Sequence, residues 1–296
     1  MPNKVRIVTD SSAQFIDPSI IQRYNITVVP LKIEIGSQVY RENLDIESDV
    51  FFRRVNESRT KPRLIAPEVE TFADIYARLN RETDQILSIH LSRLMHPTWE
   101  NAKAATQGLL GRCEFAIIDS KTTSVGLALL VEAAARLAEE TRSLDQIVRT
   151  VRSMIERIYA IFYVESLDYL YKGGLVSESQ SILGAMLGIK PFLTIEDGEL
   201  ITMEKVRTRP QAIDKLVEFV TEFADVEQLV ILQNTPHITE QTRLLQERLS
   251  VEFSPRLFPV AVYKPSLGTF VGPDATGIVV FESEVEEEEP FEEDFT

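Results

Sequence analysis

Two short apolar, β-branched runs set the rhythm of the N-terminal half. Val5-Arg6-Ile7-Val8-Thr9 ends in Asp10-Ser11-Ser12, and Phe115-Ala116-Ile117-Ile118 ends in Asp119-Ser120-Lys121. A helical pattern follows each run, so each reads as strand, tight turn and helix. Groups at the carboxyl ends of parallel strands face the crevice where ligands sit. Asp10, Ser11 and Ser120 are therefore candidate pocket-lining residues. The plainer role for the same side chains is to cap a helix or hold a loop.

The rest of the first half continues the alternation. Asp17-Pro18 opens a short helix over 19–24. Residues 26–34 are β-branched, contain Pro30, and turn at Gly36-Ser37 into 38–40, a hairpin at a sheet edge. Helical spacing covers 48–55 and 67–82, the second with Val69, Phe72, Ile75, Tyr76 and Leu79 on one side. Residues 85–91 read as a buried strand, and Pro97 opens a helix that Gly111 ends. The strand at 115–118 precedes long helices over 122–140 and 144–159. Strand and helix in alternation predict a parallel, helix-covered sheet.

Beyond residue 159 the pattern changes. A strand at 161–164 and a helix at 166–171 lead to a break at Gly173-Gly174. The helix over 177–187 carries Ile182, Leu183 and Met186 on one side. Strands 191–195 and 200–206 flank Asp197-Gly198, a strong hairpin signal. A helix over 210–224, a strand at 228–233, a helix over 239–249, a strand at 257–262, a loop at 268–272 and a strand at 277–281 complete the pattern. The fold class is α/β in two domains. Residues 1–159 form a parallel-sheet α/β domain and 160–283 an α+β domain with a mixed sheet, leaving 284–296 as an acidic, disordered tail.

Composition narrows the function. Of 296 residues, 44% are apolar, enough for a large core, and the net charge is −15. Nine acids lie between Glu282 and Asp294, and without them the excess falls to 6. That balance and the lack of a basic stripe argue against nucleic acid. The single Cys113 fits a reducing compartment, and no apolar run reaches membrane-span length, so the expected location is cytoplasmic. There is no Gly-x-Ser-x-Gly elbow and no phosphate-binding glycine loop. His90, His96 and His237 are the only histidines and are not spaced as ligands, so neither a metal nor a cofactor is expected. His90, inside an apolar strand, reads as a satisfied core residue. No catalytic constellation stands out, and the chain reads as a non-enzyme.

Four blocks together resemble the DegV family. They are Ile7-Val8-Thr9-Asp10-Ser11-Ser12; Ile118-Asp119-Ser120-Lys121-Thr122-Thr123-Ser124-Val125-Gly126; Val164 to Gly174, continuing through Gly188-Ile189-Lys190-Pro191 to Lys205-Val206-Arg207-Thr208-Arg209; and Gly268 to Ala275. The resemblance implies a non-catalytic protein that binds a fatty acid in a buried tunnel between two domains. It also implies presentation of the carboxylate to a separate fatty acid kinase subunit. By that resemblance Gly173, Ile182, Met186 and Phe192 join Asp10, Ser11 and Ser120 as pocket-lining candidates.

The head-group positions depart from the family pattern. Where the family has Thr-Ser-Gln-Pro-Ser, with the Thr on the carboxylate, this chain has Leu64-Ile65-Ala66-Pro67-Glu68. A Ser-Gly-Thr turn is replaced by His96-Pro97-Thr98, and a Gly-Thr-His block reads Gly268-Thr269-Phe270, while Arg207 is retained. The head-group region is therefore expected around Leu64, His96, Thr98, Arg207, Thr269 and Phe270. About fifteen methylenes at about 0.8 kcal/mol each give roughly 12 kcal/mol gross. A lost head-group hydrogen bond costs only about 1–3 kcal/mol. The chain would then hold the lipid, and the polar groups would choose its head. The rival reading is a small-molecule enzyme using His96, Arg207 and Asp119 in the same crevice.

Overall fold

The computed structural model describes residues 4–58, 61–140, 142–165, 167–172, 177–253, 256 and 258–284. The chain begins with β1 (Arg6–Asp10), α1 (Ser19–Arg23), β2 (Thr27–Val29), β3 (Lys32–Ile35) and β4 (Gln38–Arg41). Next come α2 (Ser48–Glu57), β5 (Arg63–Ile65), α3 (Val69–Leu79), β6 (Gln85–His90) and α4 (Thr98–Ala105). A single turn of 3₁₀ helix leads to β7 (Glu114–Asp119), α5 (Ser124–Glu139) and α6 (Leu144–Ile155). Then follow β8 (Ile158–Val164), α7 (Leu167–Lys172), α8 (Glu178–Met186), β9 (Lys190–Glu196) and β10 (Glu199–Val206). The last elements are α9 (Arg209–Thr221), β11 (Val226–Gln233), α10 (Glu240–Glu252), β12 (Val260–Val262), α11 (Pro265–Val271) and β13 (Ala275–Glu282).

Two large sheets face each other across a shared helical layer. The first is parallel, in the order β2-β1-β6-β7; the second is mixed, in the order β10-β9-β8-β13-β11-β12. Helix α5 packs on β1 and β6 from one side and on β8 and β13 from the other. Ten of its residues are buried, and its exposed side is confined to Arg136 and Glu139 near its C-terminal end. Small residues make the fit possible: a Cβ on Gly126 would lie 2.8 Å from the Ile158 side chain and 2.6 Å from Thr122 Oγ1.

Period-two alternation assigns each strand's side chains to layers. In β8, Ala160, Phe162 and Val164 enter the core shared with α5, while Ile161 and Tyr163 enter an outer core with α9 and α10. Strands β11 and β13 divide likewise. On the parallel sheet, Ile7, Leu87 and Ile89 face the shared layer, while Val8 and Ile86 face Phe72 and Tyr76 of α3.

Three expectations change. The stretch 268–272 is mostly helix, not loop: Pro265 starts α11 and Gly272, at φ +89°, ends it. Gly268 has poor helix propensity, and packing on α2, α7 and β5 supplies what propensity does not. The helix expected over 144–159 stops at Ile155, because the apolar run that follows suits a strand as well as a helix. Finally, the run expected over 26–34 divides at Pro30-Leu31: β2 joins the parallel sheet, while β3 forms the hairpin with β4 and is joined by β5 in a separate sheet ordered β4-β3-β5. At three residues β5 is too short to display a period. The Asp197-Gly198 turn has positive φ at both residues, as a type I′ hairpin requires. Positions 285–296 of the acidic tail lie outside the described residues.

Candidate functional site

A buried hydrogen-bond chain lies at the carboxyl ends of β1 and β6. Tyr76 OH donates to Ser88 Oγ (2.9 Å), and Ser88 Oγ lies 2.8 Å from His90 Nε2. The hydroxyl proton of Ser88 is then free for Nε2, and the Nδ1 proton of His90 for Asp10 Oδ2 at 3.0 Å. The other Asp10 oxygen accepts from the Ser12 backbone and hydroxyl, and Leu91 N–H adds to Oδ2. Burial alone would raise the Asp10 pKa, but the His90 and Ser12 bonds outweigh it and hold the carboxyl below its ordinary value. His90 is a satisfied core residue, and Asp10 anchors the loop rather than capping a helix.

Next to it, the loop after β1 is clasped to the segment that leads into α11. Lys264 Nζ donates to the carbonyls of Ser11 (3.0 Å) and Ala13 (2.7 Å). Glu42 accepts from Ser11 Oγ (2.6 Å) and from the Ser266 backbone N–H (2.7 Å). Gln14 Nε2 donates to the Val262 carbonyl, and its Oε1 accepts from Ser124 Oγ. Burial raises the Glu42 pKa and lowers that of Lys264, their mutual attraction opposing both shifts. A second clasp joins the β9–β10 turn to the parallel-sheet loops: Ser92 Oγ donates to Gly198 O (2.5 Å), and Lys121 pairs with Asp197.

Part of the expected head-group set does converge. His96 Nδ1 lies 2.8 Å from Thr98 Oγ1, and the ring also bonds the Leu64 backbone, so His96, Thr98 and Leu64 meet at one point. Burial lowers the His96 pKa, only partly offset by that carbonyl. Helix α11, with Thr269 and Phe270, packs against β5, which carries Leu64. Thr269 Oγ1 donates to Ser266 O, and Phe270 lies against the shared core. Tyr169 of α7 closes this junction by donating to the carbonyls of Gly268 (2.8 Å) and Thr269 (3.2 Å). Lys61 Nζ sits 5.0 Å from the centroid of the Tyr169 ring.

Other expected residues lie elsewhere. Ser11 is tied to Glu42, and Ser120 Oγ donates to Thr122 O within its own turn. Asp119 Oδ1 accepts from the Lys121 and Arg93 backbones. Phe192 faces the outer core against Tyr163 (centroids 5.6 Å apart), because its neighbour Leu193 takes the inward position. Ile182 and Met186 on α8 are 54% and 79% exposed. Arg207 is exposed on the α9 side with Lys205, Gln211 and Asp214, and Glu204 pairs with Lys215. Gly173 lies outside the described residues. Among the described residues no group of three His, Cys, Asp or Glu could hold a metal, and no helix is long and apolar enough to cross a membrane.

Sequence reasoning missed Glu42, Lys61, Tyr169 and Lys264. Nothing local marks a charged side chain for burial when its partners stand more than two hundred positions away, as Glu42 and Ser266 do.

The two-sheet α/β fold, joined through α5 and fastened by these buried clasps, defines a ligand-binding class of protein. The chain belongs to the DegV family: the family model described as "Uncharacterised protein, DegV family" matches residues 4–283. A DegV domain-containing protein of Caldanaerobacter subterraneus subsp. tengcongensis is 34% identical over 279 residues, covering 93% of this chain and 98% of that protein. The crystal structure of a fatty acid binding DegV family protein from Streptococcus agalactiae superimposes with a TM-score of 0.85 at 25% identity, covering 95% of this chain and 100% of that one. A DegV lipid binding protein from Thermotoga maritima gives 0.79 at 26% identity, covering 95% and 99%.

Proposed function

We propose that this protein binds a long-chain fatty acid, or a closely related acyl lipid, between its two sheets, with the head group at the junction of Leu64, His96, Thr98 and Thr269. The observation that carries the reading is the 0.85 TM-score to a fatty acid binding protein across 95% of the chain. In this reading 1–159 and 160–283 act as two domains, and the pocket is lined from the layer they share. Binding without catalysis is favoured over the enzyme alternative, because the proposed acid–base group is already engaged. His96 is bonded to Thr98 and the Leu64 backbone, while Arg207 is exposed beside Gln211 and Asp214 on the α9 side. Presentation of the bound acid to a separate kinase subunit is the role the family resemblance adds.

The test is native mass spectrometry of freshly purified protein, followed by denaturing extraction and lipid identification. A stoichiometric fatty acid supports the proposal. A different acyl lipid keeps the site and changes its head group. Protein that carries no lipid and takes none up from vesicles containing fatty acid overturns it.

A further inference from the structure

We propose that Lys61 selects an anionic head group in this site, its ammonium forming an ion pair with the carboxylate of the bound acyl ligand. The inference rests on the acyl-binding reading and assigns the charge partner which that reading leaves open. A carboxylate drawn into an apolar junction needs a counter-charge or it stays in water. The positions expected to supply polar contacts do so poorly: Leu64 and Phe270 are apolar, and the His96 ring is bonded to Thr98 and Leu64.

Among the described residues, Lys61 differs from Lys264, Lys190, Arg209 and Arg207. Lys264 is held by the Ser11 and Ala13 carbonyls. Glu165 holds both Lys190 and Arg209, and Arg207 lies out on the α9 side. Lys61 stands three positions before Leu64, partly buried, and among the described residues it forms no ion pair. Its ammonium rests over the ring of Tyr169, the residue that fastens α11 at Gly268 and Thr269. Burial lowers its pKa to about 8. An ammonium partly withdrawn from water and resting over an aromatic ring gains most from an arriving anion.

The experiment displaces dansyl-undecanoic acid from the protein with palmitate and with hexadecanol, which share a chain length and differ in charge. Wild type is expected to prefer palmitate. Lys61→Met should weaken palmitate by about tenfold or more, the loss of one charge-assisted contact, and leave hexadecanol unchanged. Lys61→Arg should restore the preference. Removing a partly buried charge that forms no ion pair among the described residues should not unfold the free protein, and a thermal melt checks this. An unchanged palmitate-to-hexadecanol ratio in Lys61→Met overturns the role of Lys61, as does an equal loss for both ligands. Wild type that binds neither ligand nor the probe overturns the acyl-binding reading itself.

Discussion

The backbone N–H of Ser266 donates to Glu42 Oε1 over 2.7 Å, joining the residue that follows β4 to helix α11. Glu42 and Ser266 are both buried, and Lys264 sits two residues away on the same segment, bonded to the Ser11 loop. The cluster is therefore a fastener between the parallel sheet and α11. Breaking a buried charged network by removing one member costs about 3–5 kcal/mol. Glu42→Ala and Lys264→Met should each lower unfolding stability by an amount of that order, measured by urea denaturation at pH 7. The double variant should lose less than the sum, because each single change strands the other's charge.

Acid stability should depend on Asp10. Its folded pKa lies below the ordinary 3.8, so the unfolded chain takes up a proton first as pH falls. Its stabilisation is present above about pH 4 and is lost as pH drops through the lower folded value. Asp10→Asn should flatten the urea-midpoint profile in that window. Asp45, held at about 2 by Arg41 on the surface, titrates in a similar range. High salt should suppress the Asp45 contribution and leave that of Asp10, since only the exposed pair is screened.

Gly126 is a packing requirement. An added methyl would press on Ile158 and Thr122 where α5 meets the second sheet. Gly126→Ala should cost about 1–3 kcal/mol by thermal or urea denaturation, although alanine is the better helix former. A neutral or stabilised variant would contradict the sandwiched position of α5.

His96 should stay neutral at physiological pH. Burial lowers its pKa below the usual 6.5, so its ring resonances in NMR should titrate at more acidic pH than that of an exposed imidazole. A pKa at or above 6.5 would mean that the ring is not held in the buried bonds described.

Much of this was legible along the chain. The runs ending at Asp10 and Asp119, the Asp197-Gly198 turn and the proline-led helices carry their structure locally, because β-branching, capping and positive φ act over a few residues. His90 could be read as a core residue because an apolar strand surrounds it. The meeting of His96, Thr98 and Leu64 was legible only through the family pattern.

What the sequence alone determined, then, is the alternation of strands and helices, their rough bounds, and the family's blocks in order. Tertiary structure decided that α5 lies between two sheets, that Phe192 faces outward while Leu193 faces in, and that Glu42, Lys61 and Lys264 are drawn from water at the junction of distant segments. The reason is physical. Periodicity records which side of an element is apolar, but burial of a charge depends on partners the chain supplies only after it has closed on itself.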